Sequence, residues 1–207
     1  MPGGFRRVSL ETRNTSGAAR SGQAVGAMKN KLIDLAGPIS AELFNQPLEF
    51  LLSEHYRQRI ICNTLEMSPF DPRNALSNDE IRGIIEYLSV DMPLHLADEE
   101  LSLFPLLKKR CPPADNIDEI LTQLMKEHEV DRPLVARVIG FLNAALADEA
   151  IIDFGPYRES TAAMTEAQRR HLAWENSVIL PLAKRRLKAA DLIDLGRAMA
   201  RRRGVQI

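Results

Sequence analysis

All four histidines of the 207-residue chain stand at matched positions in an internal repeat. Residues 95–110 read HLADEELSLFPLLKKR and residues 171–186 read HLAWENSVILPLAKRR, so eight of sixteen positions are identical at an offset of 76. A shorter match, Glu-His-x3-Arg, joins residues 54–59 to residues 127–132 at an offset of 73. Because imidazole and carboxylate groups are common metal ligands, metal coordination is the chemistry that this repeat could serve.

The spacing places a histidine and a glutamate on one helix face twice. His95 precedes Glu99 by four residues, as His171 precedes Glu175, and residues four apart lie about 6 Å from each other along a helix axis. A single pair of this kind is usually an exposed contact on a helix surface. Here the flanking stripes are mainly apolar and the pattern is repeated, so we expect these side chains to face a helical interior.

Buried glutamates beside imidazoles need a counter-charge, because an ionised carboxylate without a partner is unstable in an apolar interior. A dinuclear metal site supplies that charge, with two histidines per metal and two glutamates that bridge both. An additional water or hydroxide bridge leaves each metal about five-coordinate, with room for a small ligand, and the donor set suits iron but also manganese or zinc. The predicted ligands are His55, His95, Glu99, His128, His171 and Glu175. Glu54 and Glu127 each precede a ligand but point about 100° away, so we expect them to face solvent.

Prolines and capping residues divide the chain into the long helices that must position these ligands. Short loops between long helices favour an all-α, antiparallel up-down-up-down four-helix bundle with a short C-terminal fifth helix, and no segment shows the alternation of a strand. Pro105 and Pro181 each remove one helical hydrogen bond, so a kink is expected at each. The predicted helices run from Pro47 to about Met67, from a capping box at Ser77 to near Arg110, from near Asn116 to about Ala147, from Pro156 to about Lys188, and from Asp191 to about Arg203.

The first part of the chain has a different composition. Six of the eleven glycines lie within residues 1–37, with many serines and threonines and few large apolar residues. Such a segment buries too little surface to order itself, so we predict a flexible leader over residues 1–37 and the bundle over residues 38–207. Its arginines weakly resemble those of an organelle transit peptide, but a plain disordered tail is the favoured interpretation.

Composition excludes several other classes of protein. The net charge of −1 gives no basic surplus for nucleic acid, and the basic runs at residues 108–110, 184–186 and 201–203 fall where cations stabilise helix C-termini. No apolar run is long enough for a membrane span, the N-terminus has no secretory signal, and two cysteines make no disulfide framework. We therefore expect a cytoplasmic protein without a membrane or nucleic-acid partner, whose oligomeric state stays open.

The lone histidine followed by His-x3-Glu, occurring twice over residues 45–190, resembles the hemerythrin-like (HHE cation-binding) family. That resemblance implies a four-helix bundle that holds two non-haem iron ions through the six residues above. Within the family, the spacing is most similar to the C-terminal domain of bacterial di-iron proteins that repair iron-sulfur clusters. Two departures matter: Arg132 stands where oxygen-carrying hemerythrins have a fifth histidine, and the leader lacks the cysteine of the repair proteins.

Three functions are compatible with this pattern. The first is a di-iron protein that binds or reacts with oxygen, nitric oxide or peroxide in sensing or stress defence. The second is an iron donor or iron-sulfur-cluster repair factor, since iron bound by four histidines is released more easily than iron bound by five. The third is a non-catalytic bundle that a metal stabilises and that acts through partners. The sequence does not decide whether the protein is an enzyme.

Overall fold

The structure, a computed structural model, describes residues 40–68, 71–147 and 153–207. Within these ranges the chain is helical and contains no strand, which confirms the predicted all-α bundle. The predicted leader lies outside the described residues. The main helices are α1 (Pro47–Glu66), α2 (78–110), α3 (Ile117–Leu146), α4 (155–186) and α5 (Ala189–Arg202), and the shorter elements are two 3₁₀ turns (Ala41–Asn45 and Pro113–Asp115) and a one-turn helix (Pro72–Ala75).

The helix starts follow from the local sequence. Pro47 occupies the first turn of α1, where its missing amide hydrogen removes no hydrogen bond. At the start of α2 the Glu80 amide donates to Ser77 Oγ, and the Ser77 amide donates to the Glu80 carboxylate at 2.7 Å. This reciprocal pair is the capping box that the sequence predicts. The boundaries of all five helices therefore lie within a few residues of the predicted ones.

Helices α2 and α4 contain π turns beside their internal prolines. A proline lacks the amide hydrogen that continues an α-helix, so the hydrogen-bond ladder is interrupted there. The preceding residue instead bonds five residues back: the Phe104 amide donates to the Glu99 carbonyl, and the Leu180 amide donates to the Glu175 carbonyl. The two π turns beside Pro105 and Pro181 thus begin at the repeated glutamates. The π turns are Tyr87–Asp91 and Glu99–Leu103 in α2 and Glu175–Ile179 in α4.

Two apolar clusters fill the bundle, and a polar level separates them. Each of the four long helices contributes buried residues to both clusters. Along each helix, the residues of one cluster precede the histidine and those of the other cluster follow it. On α1, for example, Leu51 belongs to one cluster and Ile61 to the other, with His55 between them. The histidines therefore lie at one level of the bundle, which positions them to meet.

Helix α5 packs over one end of the bundle. Leu195, Met199 and Ala200 belong to the cluster at that end. The backbone approaches closely here, because a Cβ atom on Gly196 would lie 2.0 Å from the Phe44 carbonyl oxygen. Only glycine fits at this contact. None of the helices in the described ranges is both long enough and apolar enough to cross a membrane.

Candidate metal centre

The bundle brings all six predicted ligand residues together. They form two overlapping groups of four, and within each group one potential ligand atom per residue lies within 4.8 Å of the others. Glu99 and Glu175 belong to both groups, and all six residues are buried. The first group adds His55 and His95, which come from α1 and α2. The second group adds His128 and His171, which come from α3 and α4.

The two glutamates are placed so that each spans both groups. Glu99 turns Oε1 toward His95 Nε2 at 3.6 Å and Oε2 toward His128 Nε2 at 3.7 Å. Glu175 turns Oε2 toward His55 Nε2 at 3.3 Å and Oε1 toward His171 Nε2 at 2.9 Å. Each carboxylate thus presents one oxygen to each pair of histidines, which is the arrangement that a bridging ligand requires.

Several atoms of the cluster have no hydrogen-bond partner among the described residues. These buried atoms are His55 Nε2, both ring nitrogens of His95, Glu99 Oε2 and both carboxylate oxygens of Glu175. A buried polar atom without a partner costs about 1–3 kcal/mol, so leaving several at one level is unfavourable unless another group satisfies them. All but His95 Nδ1 belong to the inward-facing ends of the cluster. The donor set therefore fits metal cations, which neutral imidazole and ionised carboxylate bind well.

Electrostatics in the cluster keeps His95 and Glu175 in the forms that bind metal, whereas His171 is protonated. Burial lowers the pKa of His95 to about 3, so its ring is neutral at pH 7. Burial alone would raise the pKa of Glu175, but His171 and His55 hold it at about 2, so this carboxylate stays ionised. For His171 burial is outweighed by Glu175 and Glu99, which raise its pKa to about 9. A metal ion binding there would displace that proton.

The outer nitrogens of two histidines are fixed by residues in equivalent repeat positions. Glu100 Oε1 lies 2.7 Å from His128 Nδ1, and Asn176 Oδ1 lies 2.9 Å from His55 Nδ1. Glu100 and Asn176 directly follow the two glutamates shared by both groups and are 76 residues apart. Such contacts orient an imidazole and keep its Nε2 free for a metal. The π turns that begin at Glu99 and Glu175 include both of these supporting residues.

The expectation that Glu54 and Glu127 face solvent is wrong. Glu127 Oε2 lies 3.3 Å from His171 Nδ1, so this carboxylate supports a ligand of the second group. Glu54 is only 1% exposed and forms an ion pair of 2.9 Å with Arg57. The two repeats therefore differ: carboxylates support both histidines of the second group, whereas His55 of the first group is supported by an amide.

Arg132, which stands in place of a fifth histidine, takes part in this support. Its Nη2 lies 3.0 Å from Glu100 Oε1, the oxygen that also contacts His128. One turn further from the ligand level, Gln58 donates to Gln168, which in turn donates to Asp131 at 2.8 Å. All three of these residues are buried, so the histidines lie beside a second polar layer.

These features define a four-helix bundle with a histidine and glutamate cluster able to hold metal. Residues 46–183 match the family model described as "Hemerythrin HHE cation binding domain". The chain belongs to this family, as the sequence resemblance indicates. The chain is also 28% identical over 169 residues to a Haemophilus influenzae protein described as "Uncharacterized protein", a match that covers 79% of this chain and 93% of that protein.

Proposed function

We propose that the chain is a non-haem di-iron protein that binds or reacts with a small ligand such as oxygen, nitric oxide or peroxide, in sensing or stress defence. The observation that carries this proposal is the sharing of Glu99 and Glu175 between two groups of four buried ligand residues. One metal could not reach all six residues in this arrangement, because the oxygens of each glutamate face different histidines. Two bridged ions fit the arrangement.

The six ligand residues would bind the two ions in different combinations. His55 and His95 would hold one ion, His128 and His171 the other, and the two glutamates both. A pair of iron ions supplies open coordination positions and electrons for a small ligand. The protein's own contribution is to orient the rings through Asn176, Glu100 and Glu127 and to exclude bulk water from a cluster that is at most 2% exposed.

Metal analysis after anaerobic loading with ferrous iron tests the proposal. We expect about two iron ions per chain. Glu99→Ala and Glu175→Ala should each lower the occupancy of both positions, because each glutamate serves both ions. The matched control is Glu129→Ala, which removes an exposed carboxylate next to His128. Retention of two ions by the Glu99 and Glu175 variants would contradict the assignment.

Absorption spectra then separate the functions that share this metal centre. A change of the iron spectrum on adding nitric oxide or oxygen, without iron loss, supports ligand binding. Transfer of iron to a chelator or to a cluster-free iron-sulfur protein supports the iron donor instead. If no ligand changes the spectrum while His95→Ala lowers thermal stability, the metal serves structure alone.

A further inference from the structure

A cavity of about 540 Å³ lies between α2 and α3 and reaches the second group of ligands. His128 and His171 line its inner end, whereas His55 and His95 do not line it. The cavity therefore approaches the metal centre from one side only. That side is the one where Glu100 and Glu127 support the histidines.

The cavity is larger than a diatomic ligand requires. A diatomic molecule occupies a volume similar to that of a water molecule, roughly 30 Å³. The observed volume instead falls within the range of about 300–1,000 Å³ that is typical of pockets for organic small molecules. A path for oxygen or nitric oxide alone does not account for it.

The lining combines apolar walls with a polar inner end. Asp131 and Gln168, which are 4% and 3% exposed, lie at the inner end beside the two histidines. At the mouth, Leu101 remains 68% exposed although it lines the cavity. An exposed leucine at the mouth of an apolar cavity gives a hydrophobic molecule a surface to bury. The apolar wall is formed mainly by Leu88, Met92, Leu96, Ala97, Val135 and Ile139.

We propose that this cavity binds an apolar organic molecule, an aliphatic chain with one hydroxyl or similar neutral polar group directed toward Asp131 and Gln168. Arg132 Nη2 lies 3.0 Å from Glu100 Oε1, so these two lining charges neutralise each other. Asp131 is the remaining acidic side chain of the lining, and its carboxylate can accept a hydrogen bond from the hydroxyl of the ligand. The inference rests on the proposed function in one respect: the bound molecule would lie beside the His128 and His171 half of the centre.

Calorimetric titration of the full-length protein with 1-butanol, 1-hexanol and 1-octanol tests this. We expect binding of one molecule per chain, a negative heat-capacity change, and an affinity that rises about fourfold for each added methylene. The titrations are done with metal-loaded and with metal-free protein. Alcohol binding to both forms supports the proposed binding site even if metal analysis refutes the di-iron assignment. The two proposals can therefore be tested independently.

Two variants locate the binding site. Ala136 lines the cavity from α3, and Ala136→Trp should lower octanol affinity about tenfold or more because the indole occupies the space. Ala163→Trp, at an exposed site of α4 outside the cavity, is the matched control and should leave the affinity unchanged. Leu101→Ser should also weaken binding, whereas Val130→Ser, at a comparably exposed position outside the cavity, should not. Neither serine variant alters a buried side chain.

Absence of heat with octanol at every temperature of the heat-capacity series would overturn the proposal, because binding with a negative heat-capacity change gives heat at some of them. Equal affinity in Ala136→Trp and Ala163→Trp would overturn it as well, because the alcohol would then bind elsewhere. An affinity that does not depend on chain length would show that no apolar cavity is being filled.

Discussion

Arg203 near the C-terminus donates a hydrogen bond of 2.7 Å to Asp98, the residue directly before Glu99. Arg202 of α5 donates to the other oxygen of Asp98 at 2.8 Å, and Asp98 is completely buried. The guanidinium of Arg203 also lies over the Phe50 ring, 4.6 Å from its centre. The C-terminal helix is therefore tied to the helix that carries two of the predicted ligands.

We predict that Arg203→Met destabilises the protein by about 1–3 kcal/mol, because a buried carboxylate loses one of its two charged partners. Metal affinity should fall as well, since Asp98 is adjacent to Glu99. Urea denaturation and competition with a chelator measure the two effects. Arg201→Met changes an exposed arginine of the same helix and should alter neither quantity. A stable Arg203 variant would show that Arg202 alone holds Asp98.

The carboxylates that support His128 and His171 should strengthen metal binding. We predict that Glu100→Gln and Glu127→Gln each weaken metal affinity by about 10–100-fold, because an amide polarises an imidazole less than a carboxylate does. Chelator competition on the metal-loaded protein gives the value. Glu129→Gln, at an exposed position of α3, serves as the control. Unchanged affinity in both variants would mean that the contacts only fill space.

The contact of Gly196 with Phe44 predicts opposite effects for two similar substitutions. Gly196→Ala should destabilise the protein by about 1–3 kcal/mol, because the added methyl overlaps the Phe44 carbonyl oxygen. Gly140→Ala in α3 should stabilise it by about 0.5–1 kcal/mol, since no atom lies within 4 Å of the new Cβ and alanine favours the helix. Thermal and urea unfolding compare the two variants directly. Tolerance of alanine at position 196 would place α5 further from the 41–45 turn.

The ion pair between Arg110 and Asp191 predicts a pH-dependent contribution to stability. Hydrogen bonds from Arg110 and from the Lys188 amide lower the pKa of Asp191 from 3.8 to about 2. A lowered pKa means that the stabilisation is fully present above pH 3.8 and is lost as the pH falls through about 2. Arg110→Met should therefore be less stable than the wild type at pH 7, and the difference should shrink as the pH falls toward 2 and disappear below it. Arg197→Met, an exposed control, should show no such pH dependence.

The sequence was sufficient to predict the six clustered residues because they repeat at fixed helical spacing. Heptad-like apolar stripes and matched offsets determine which face of a helix is buried, and prolines and caps determine its ends. His55 and His128 have no adjacent glutamate of the His-x3-Glu type, yet the 73-residue offset identifies both. The fold and the clustering of the candidate ligands follow from these local patterns, and the family match agrees with the fold.

The supporting residues could not be predicted in the same way. Glu100 and Asn176 directly follow Glu99 and Glu175, and in a regular α-helix they would point about 100° away from them. Both residues lie within π turns, where the hydrogen bonds run five residues back and a sequence pattern based on 3.6 residues per turn does not apply. One signal was available, because Pro105 and Pro181 mark the places where the regular ladder must be interrupted. The contact of Glu127 with His171 depends on how closely α3 and α4 pack, which no local pattern specifies.

The two apolar clusters protect the polar level from partial opening of the bundle. Each of the four long helices has buried residues in one cluster before its histidine and in the other cluster after it. Fraying that begins at either end of the molecule must therefore disrupt a packed cluster before it exposes a histidine, and amide hydrogen exchange should be slowest next to His55 and His128. The cavity between α2 and α3 gives solvent a route to His128 and His171 that requires no unfolding.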